Sequence, residues 1–110
     1  MPVATARRAK TGAGIALFER KAADAASLLK LLANENRLLI LCRLAQSKEL
    51  SVGELTEAVG VSQSALSQHL AVLREQGVVG TRRDAQTVFY RLADPATTRV
   101  LGLLRDIYCP

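Results

Sequence analysis

Residues 51–77, SVGELTEAVGVSQSALSQHLAVLREQG, constrain this chain more than any other stretch, because they specify two short helices around a tight turn. Ser51 and Glu54 have the spacing of a capping box, Leu55 and Val59 form a short apolar side, and Gly60 stops the first helix. Ser62 is a second N-cap. Leu66, Leu70 and Leu73 then recur at i, i+4 and i+7, which sets one stripe against a core until Gly77 ends the helix. At about 100° per residue, Ser64, Ser67, Gln68, Ala71 and Glu75 fall on the opposite side, with Gln63 and Arg74 on one flank.

That outer face is small and polar near its start, as entry into the DNA major groove requires. Short side chains allow close approach, and amides and hydroxyls reach base edges and phosphates. The pair therefore has the pattern of a helix-turn-helix, in which the first helix crosses the backbone and the second reads the groove. The competing reading is an ordinary helical hairpin with a solvated, serine-rich face.

A chain of 110 residues is expected to form one domain with one small core. It is 49% hydrophobic but only 4% aromatic, with no Trp, so that core must come from Leu, Val, Ile and Ala, as helix packing favours. Fifteen Lys and Arg against ten Asp and Glu give a net charge of +5, which suits a polyanionic partner. No apolar run approaches the roughly 18 residues needed to span a bilayer, and no signal-peptide core follows the N-terminal charges. The expectation is a cytoplasmic protein with no membrane partner. Two cysteines are too few for a stapled secreted scaffold, and in a reducing compartment a bond between them is expected to be a transient, sensing one.

Along the chain, residues 1–14 carry Arg7, Arg8 and Lys10 without an acid and read as a flexible basic arm, leaving residues 15–110 as the folded domain. From about Ile15 to Leu32 a helix is predicted, with Phe18, Ala22, Ala25, Leu28, Leu29 and Leu32 as its stripe. A second helix follows over RLLILCRLAQ (37–46), placing Leu38, Leu41, Cys42 and Ala45 on one face while Ile40 and Leu44 widen the apolar side; apolar nearly all round, it is expected to sit centrally. After the two helices of the opening argument, VVGTRRD and TVFYRLA form a predicted antiparallel hairpin turning at Asp84, Ala85 and Gln86. Arg82 and Arg83 lie beside its tip, where a wing would reach a phosphate or the minor groove. Asp94 and Pro95 open a last helix with Val100, Leu101, Leu104 and Tyr108 apolar. The first and last helices carry more apolar surface than one small core uses, which suggests a twofold dimer with recognition helices about 34 Å apart.

The element order and the stretches NRLLILCRLAQ, ELSVGEL, VSQSALSQHLAVLREQGVV and RRDAQTVFYRL resemble the ArsR/SmtB family of bacterial winged-helix repressors, from about Ala23 onward. The resemblance implies a mainly α winged helix-turn-helix with a small β-hairpin, in the order α-α-α-α-β-β-α, forming a homodimer through its first and last helices. It also implies binding to double-stranded DNA at an AT-rich inverted repeat, from which an inducer releases the protein. The expected DNA contacts are Ser62, Gln63, Ser64, Ser67, Gln68 and Arg74 on the recognition helix and Arg82 and Arg83 on the wing.

Many family members sense metals, but the ligand types here argue against it. Ser51 and Gly53 stand where thiolate ligands would be needed, and the last helix offers Asp106 without a histidine. The sole histidine, His69, lies near the inner edge of the recognition helix, and zinc or arsenite would want three or four soft or imidazole donors. No metal site, cofactor or enzymatic activity is expected: His69 has no identifiable nucleophile or acid partner, and there is no glycine-rich phosphate loop.

One Cys in the second helix and one after the last is an arrangement similar to the SqrR, BigR and HlyU branch of the family. The likeness implies that Cys42 and Cys109 are a sensor pair, joined by a disulfide or polysulfide bridge in response to reactive sulfur species or oxidants. Read from its neighbours alone, Cys42 among Leu38, Leu41 and Ala45 is a buried apolar thiol of low reactivity, and Cys109 beside Pro110 is the exposed one. Direct bridging needs Cα atoms within about 7 Å, which a last helix laid across the second supplies and one lying wholly in a dimer seam does not. The alternatives are a winged-helix interaction module without DNA binding, since fold alone does not fix function, and a repressor with inert cysteines and another inducer.

Overall fold

The computed structural model describes residues 12–109, and the predicted arm falls mostly outside them. Helix α1 spans Gly12–Leu32, so it begins about a turn earlier than the periodicity placed it. The chain divides into two units, one closing at Lys30 and the other Leu31–Pro110. In the first, α1 keeps Leu17 and Phe18 exposed on one turn and Leu29 exposed further on.

The second unit takes in the buried Leu31 and Leu32 at the end of α1, and its first complete helix is α2, Glu35–Gln46. Asn34 has extended backbone and its side-chain oxygen accepts from the Arg37 N–H at 3.1 Å, an N-cap that satisfies one of the orphan donors at the helix start. The buried arc of α2 is Ile40, Leu41 and Leu44. Cys42 sits roughly 150° round the helix from the centre of that arc and is exposed, as is Ala45. The predicted face of Leu38, Leu41, Cys42 and Ala45 is thus displaced. A helix apolar nearly all round does not by itself say which arc is inward, and here Leu39 and Cys42 are left on the outside.

A two-residue strand β1 (Leu50–Ser51) leads into α3 (Val52–Val59), whose capping box is complete. The Glu54 N–H donates to Ser51 Oγ at 3.2 Å and the Ser51 N–H to Glu54 Oε1 at 2.8 Å. Gly60 takes a left-handed conformation at φ 77°, which costs a glycine nothing and turns the chain into α4, Gln63–Glu75. Ser62 Oγ accepts from the Ala65 N–H at 3.1 Å. At the far end the Val78 N–H donates to the Leu73 carbonyl and the Gly77 N–H to the Arg74 carbonyl, with Gly77 at φ 76°. These are the paired bonds of a Schellman motif, and Val78 and Leu73 are both buried beside it.

Strands β2 (Val79–Asp84) and β3 (Thr87–Leu92) form the predicted hairpin, with Val79 opposite Leu92 and Asp84 opposite Thr87. Because Asp84 is paired, the turn narrows from the expected three residues to Ala85 and Gln86, with Ala85 at φ 56°. The sheet has a third member that the sequence pattern did not reveal: β1 pairs with the outer side of β3, giving the order β1-β3-β2. Helix α5, Pro95–Tyr108, closes the unit and packs on α2. The fold is a winged helix-turn-helix, with core leucines drawn from α2, α3, α4 and α5. Among the described residues no helix is long and apolar enough to cross a membrane.

Asp94 caps the N-terminus of α5, as its sequence position predicts. Its Oδ2 accepts both the Thr97 N–H at 3.2 Å and the Thr97 hydroxyl at 2.6 Å, and Thr97 is fully buried. Asp94→Ala removes a cap and leaves a buried hydroxyl without its partner, so urea unfolding should show a loss of about 2 kcal/mol. Asp94→Asn, which keeps an acceptor, should recover most of it.

Candidate nucleic-acid interface

Helix α4 presents one side to the core and one to solvent without ambiguity. Leu66, Leu70 and Leu73 are essentially inaccessible. Ser62, Gln63, Ser64, Ser67, Gln68 and Arg74 are all exposed, and so are Ala71 and Glu75. Five of the six predicted contact residues on this element lie in its N-terminal half, where unpaired backbone N–H groups and the helix dipole favour an anion such as a phosphate. His69 is half-buried on the flank between the two faces. Helix α3 packs against α4 across the Gly60 turn, so the polar face is held by a rigid neighbour instead of by a loop.

On the wing, the two arginines part company. Successive residues of a strand point to opposite faces, so Arg82, opposite Phe89, and Arg83, opposite Val88, cannot address the same group. Arg83 is exposed one residue from the tip. The Arg82 guanidinium is occupied: its Nε donates to Glu49 Oε1 and Oε2 at 3.1 and 3.0 Å, its Nη2 also reaches Oε1, and its Cζ stands 4.7 Å from the centroid of the Phe89 ring. It is the one ion pair among the described residues. On the same sheet face Arg91 lies opposite Gly80, where a Cβ would meet its guanidinium at 3.0 Å.

Sequence reasoning missed Glu49, Phe89 and β1. A two-residue strand has no periodicity to detect, and Glu49 and Arg82 are 33 residues apart. Only the alternation in TVFYRL, with Phe89 and Arg91 on one face, hinted that this side of the hairpin would carry something.

The thiols are both free and exposed, Cys42 on the outer side of α2 and Cys109 as the C-cap of α5, where its N–H donates to the Arg105 carbonyl at 2.7 Å. The expectation of a buried Cys42 is therefore corrected, for the reason of helix rotation given above. Among the described residues no group of three or more His, Cys, Asp or Glu could hold a metal ion.

A capped helix pair with a polar outer face, followed by a hairpin with an arginine near its tip, defines a winged helix-turn-helix DNA-binding protein. Comparison with known proteins agrees. The family described as "Bacterial regulatory protein, arsR family" matches residues 34–81. The transcriptional activator HlyU of Vibrio cholerae is 54% identical over 92 residues, covering 84% of this chain and 84% of its own. The structure of reduced HlyU from that organism superposes with a TM-score of 0.79 at 53% identity, over 84% of this chain and 97% of that one. The transcriptional repressor BigR from Xylella fastidiosa gives a TM-score of 0.79 at 42% identity, over 84% and 94%. The chain belongs to the ArsR family of DNA-binding transcriptional regulators.

The bonds from Arg82 hold the Glu49 carboxyl below the ordinary carboxylate range, with the Arg82 and Arg91 charges adding to the effect. A depressed folded-state pKa stabilises above the unfolded value and loses its contribution as pH falls through the folded one, so the pair should be fully present at neutral pH and be lost only below the ordinary glutamate range. An NMR titration of the Glu49 carboxyl carbon should give a midpoint below that of an ordinary glutamate, and Arg82→Gln should move it up.

Proposed function

We propose that the protein is a dimeric repressor that holds an AT-rich inverted repeat while Cys42 and Cys109 are apart and releases it when sulfur joins them. Ser62, Gln63, Ser64, Ser67 and Gln68 make the base and phosphate contacts, and Arg74 and Arg83 contact phosphates. The polar, fully exposed N-terminal half of α4 carries the DNA part of this reading. Its apolar back is buried and Ser62 caps the helix through its Oγ, which leaves Gln63, Ser64, Ser67 and Gln68 exposed on the outer face.

The dimer is supported by apolar residues that a lone chain leaves in water. Leu103, Ile107 and Tyr108 form an exposed row on α5, and Tyr108 is 76% accessible. Helix α1 separately exposes Leu17, Phe18 and Leu29. Such rows are expected to be covered by a second copy.

The switch is supported by two accessible free thiols on helices that pack on one another, α2 and the end of α5. An oxidant joins them by taking two electrons while two protons leave. With a polysulfide, one thiolate attacks a terminal sulfane sulfur, breaking its S–S bond and releasing a polysulfide one sulfur shorter, to give a persulfide. The second thiolate then attacks the inner sulfur of that persulfide, forms the disulfide and expels hydrosulfide. A bridge from the end of α5 to α2 changes how α5 meets the partner subunit and so the spacing of the two α4 helices. Weakening operator binding by about 100-fold needs a coupling of only about 2.7 kcal/mol.

Fluorescence anisotropy against an AT-rich palindrome and a random duplex tests the first half. The reduced protein should favour the palindrome, and equal affinity for both would return the interaction-module reading. After polysulfide treatment affinity should drop about 100-fold, with mass spectrometry finding the two cysteines in one linked peptide pair. Cys42→Ser and Cys109→Ser should each bind normally and ignore the treatment; a full response in both would leave the cysteines inert. Ile107→Glu should sediment as a monomer and bind the palindrome about 100-fold more weakly, because two linked half-sites become one.

A further inference from the structure

We infer that Arg82 is a positioning residue of the wing: Glu49 and Phe89 hold its guanidinium across the sheet, so that it ties the wing to the helix-turn-helix and is not itself a phosphate contact. The inference rests on the reading that the wing meets DNA, and it assigns that contact to Arg83.

The geometry runs across all three strands. Glu49 immediately precedes β1, Phe89 lies on the central strand β3, and Arg82 lies on β2, the far strand. Phe89 is paired with Ser51 on one side and with Arg82 on the other, so the carboxylate has to pass over the middle strand to reach the guanidinium. Three bonds to one carboxylate and an aromatic face beneath direct the Arg82 guanidinium across the sheet, although its side chain stays 49% exposed. Ser51, two residues beyond Glu49, is the N-cap of α3. A displacement of β2 relative to β1 is therefore a displacement of the wing relative to the first helix of the DNA-reading pair. The hairpin is otherwise joined to β1 only at the two register pairs Leu50 with Tyr90 and Ser51 with Phe89, both of them on β3. The Glu49 to Arg82 bridge is the side-chain link from the β1 edge to β2, which also pairs with β3 and packs on α4; Arg83 faces the other way and makes no ion pair with any described residue.

The two roles for Arg82 differ in salt dependence. A side chain on a phosphate releases counterions and contributes about 0.9 to the slope of log affinity on log salt, whereas one that sets an angle contributes nothing to the slope. Palindrome affinity measured by anisotropy over a range of salt, for the full chain and five variants, separates them. Arg82→Gln and Glu49→Gln should each weaken binding by about three- to tenfold with the slope of the parent, and the double variant should be no weaker than either single. Exchanging the charges, Glu49→Arg with Arg82→Glu, should restore binding toward the parent, which also shows that lost affinity was not lost folding. Arg83→Gln should lower the slope by about 0.9 for each wing engaged.

If Arg82→Gln lowers the slope by that amount and Glu49→Gln tightens binding, Arg82 meets a phosphate and Glu49 competes for it, and the inference is overturned. Parent affinity in Arg82→Gln and Glu49→Gln, with a reduced slope in Arg83→Gln, overturns it as well while keeping the wing on DNA. Parent behaviour in Arg83→Gln too would mean that the wing stays off the duplex, a failure of the underlying reading and not of the clamp alone.

Discussion

The burial of Leu66, Leu70 and Leu73 is the constraint on which the rest depends. All three are inaccessible to solvent, and each buried leucine is worth about 1.5–3 kcal/mol relative to exposure. Against a typical domain stability of about 5–15 kcal/mol, this one stripe decides whether the domain folds. It also fixes the rotation of α4 about its own axis. A helix turned by one residue would move its polar edge by about 100°, and the serines and glutamines would no longer share one outward face. Structural stability and the outward display of the polar face are thus two sides of one apolar stripe.

The ends of α4 convert that rotation into position. Ser62 starts the helix with a side-chain bond and Gly77 and Val78 end it with a pair of backbone bonds, so both ends of α4 are fixed by caps. Gly77 and Val78 then lead straight into β2, which places the wing at a set distance from the reading face. The sheet adds a second tie through β1, whose Ser51 caps α3. The two helices and the wing are in this way connected twice, once along the chain and once through the sheet.

The thiols occupy a different part of the unit. α2 is a core helix on one side only, and its other side carries Leu39 and Cys42 in solvent. α5 likewise buries Thr97 and Leu101 while exposing Leu103, Ile107 and Tyr108 just before Cys109. Both cysteines therefore lie on the outer surface of the unit and not in its core. An expectation of burial for Cys42 had come from its apolar neighbours in sequence. Those neighbours are apolar on both sides of the helix, which is why they could not tell inside from outside.

Local bonds explain what the amino-acid sequence determined by itself. The Ser51 and Glu54 box, the Ser62 cap, the Gly60 and Gly77 stops, the Asp94 cap before Pro95 and the leucine stripe of α4 all act between residues within a few positions of each other. Each follows from propensity and periodicity alone, and with them the helix-turn-helix and its exposed polar residues. The tertiary structure alone decided three things: the strand at Leu50–Ser51, the capture of Arg82 by Glu49 over Phe89, and the outward turn of Cys42. A two-residue strand exists only because β3 offers it a free edge. An ion pair over 33 residues needs the sheet to close that distance, and the buried arc of an all-round apolar helix is chosen by the elements packed against it.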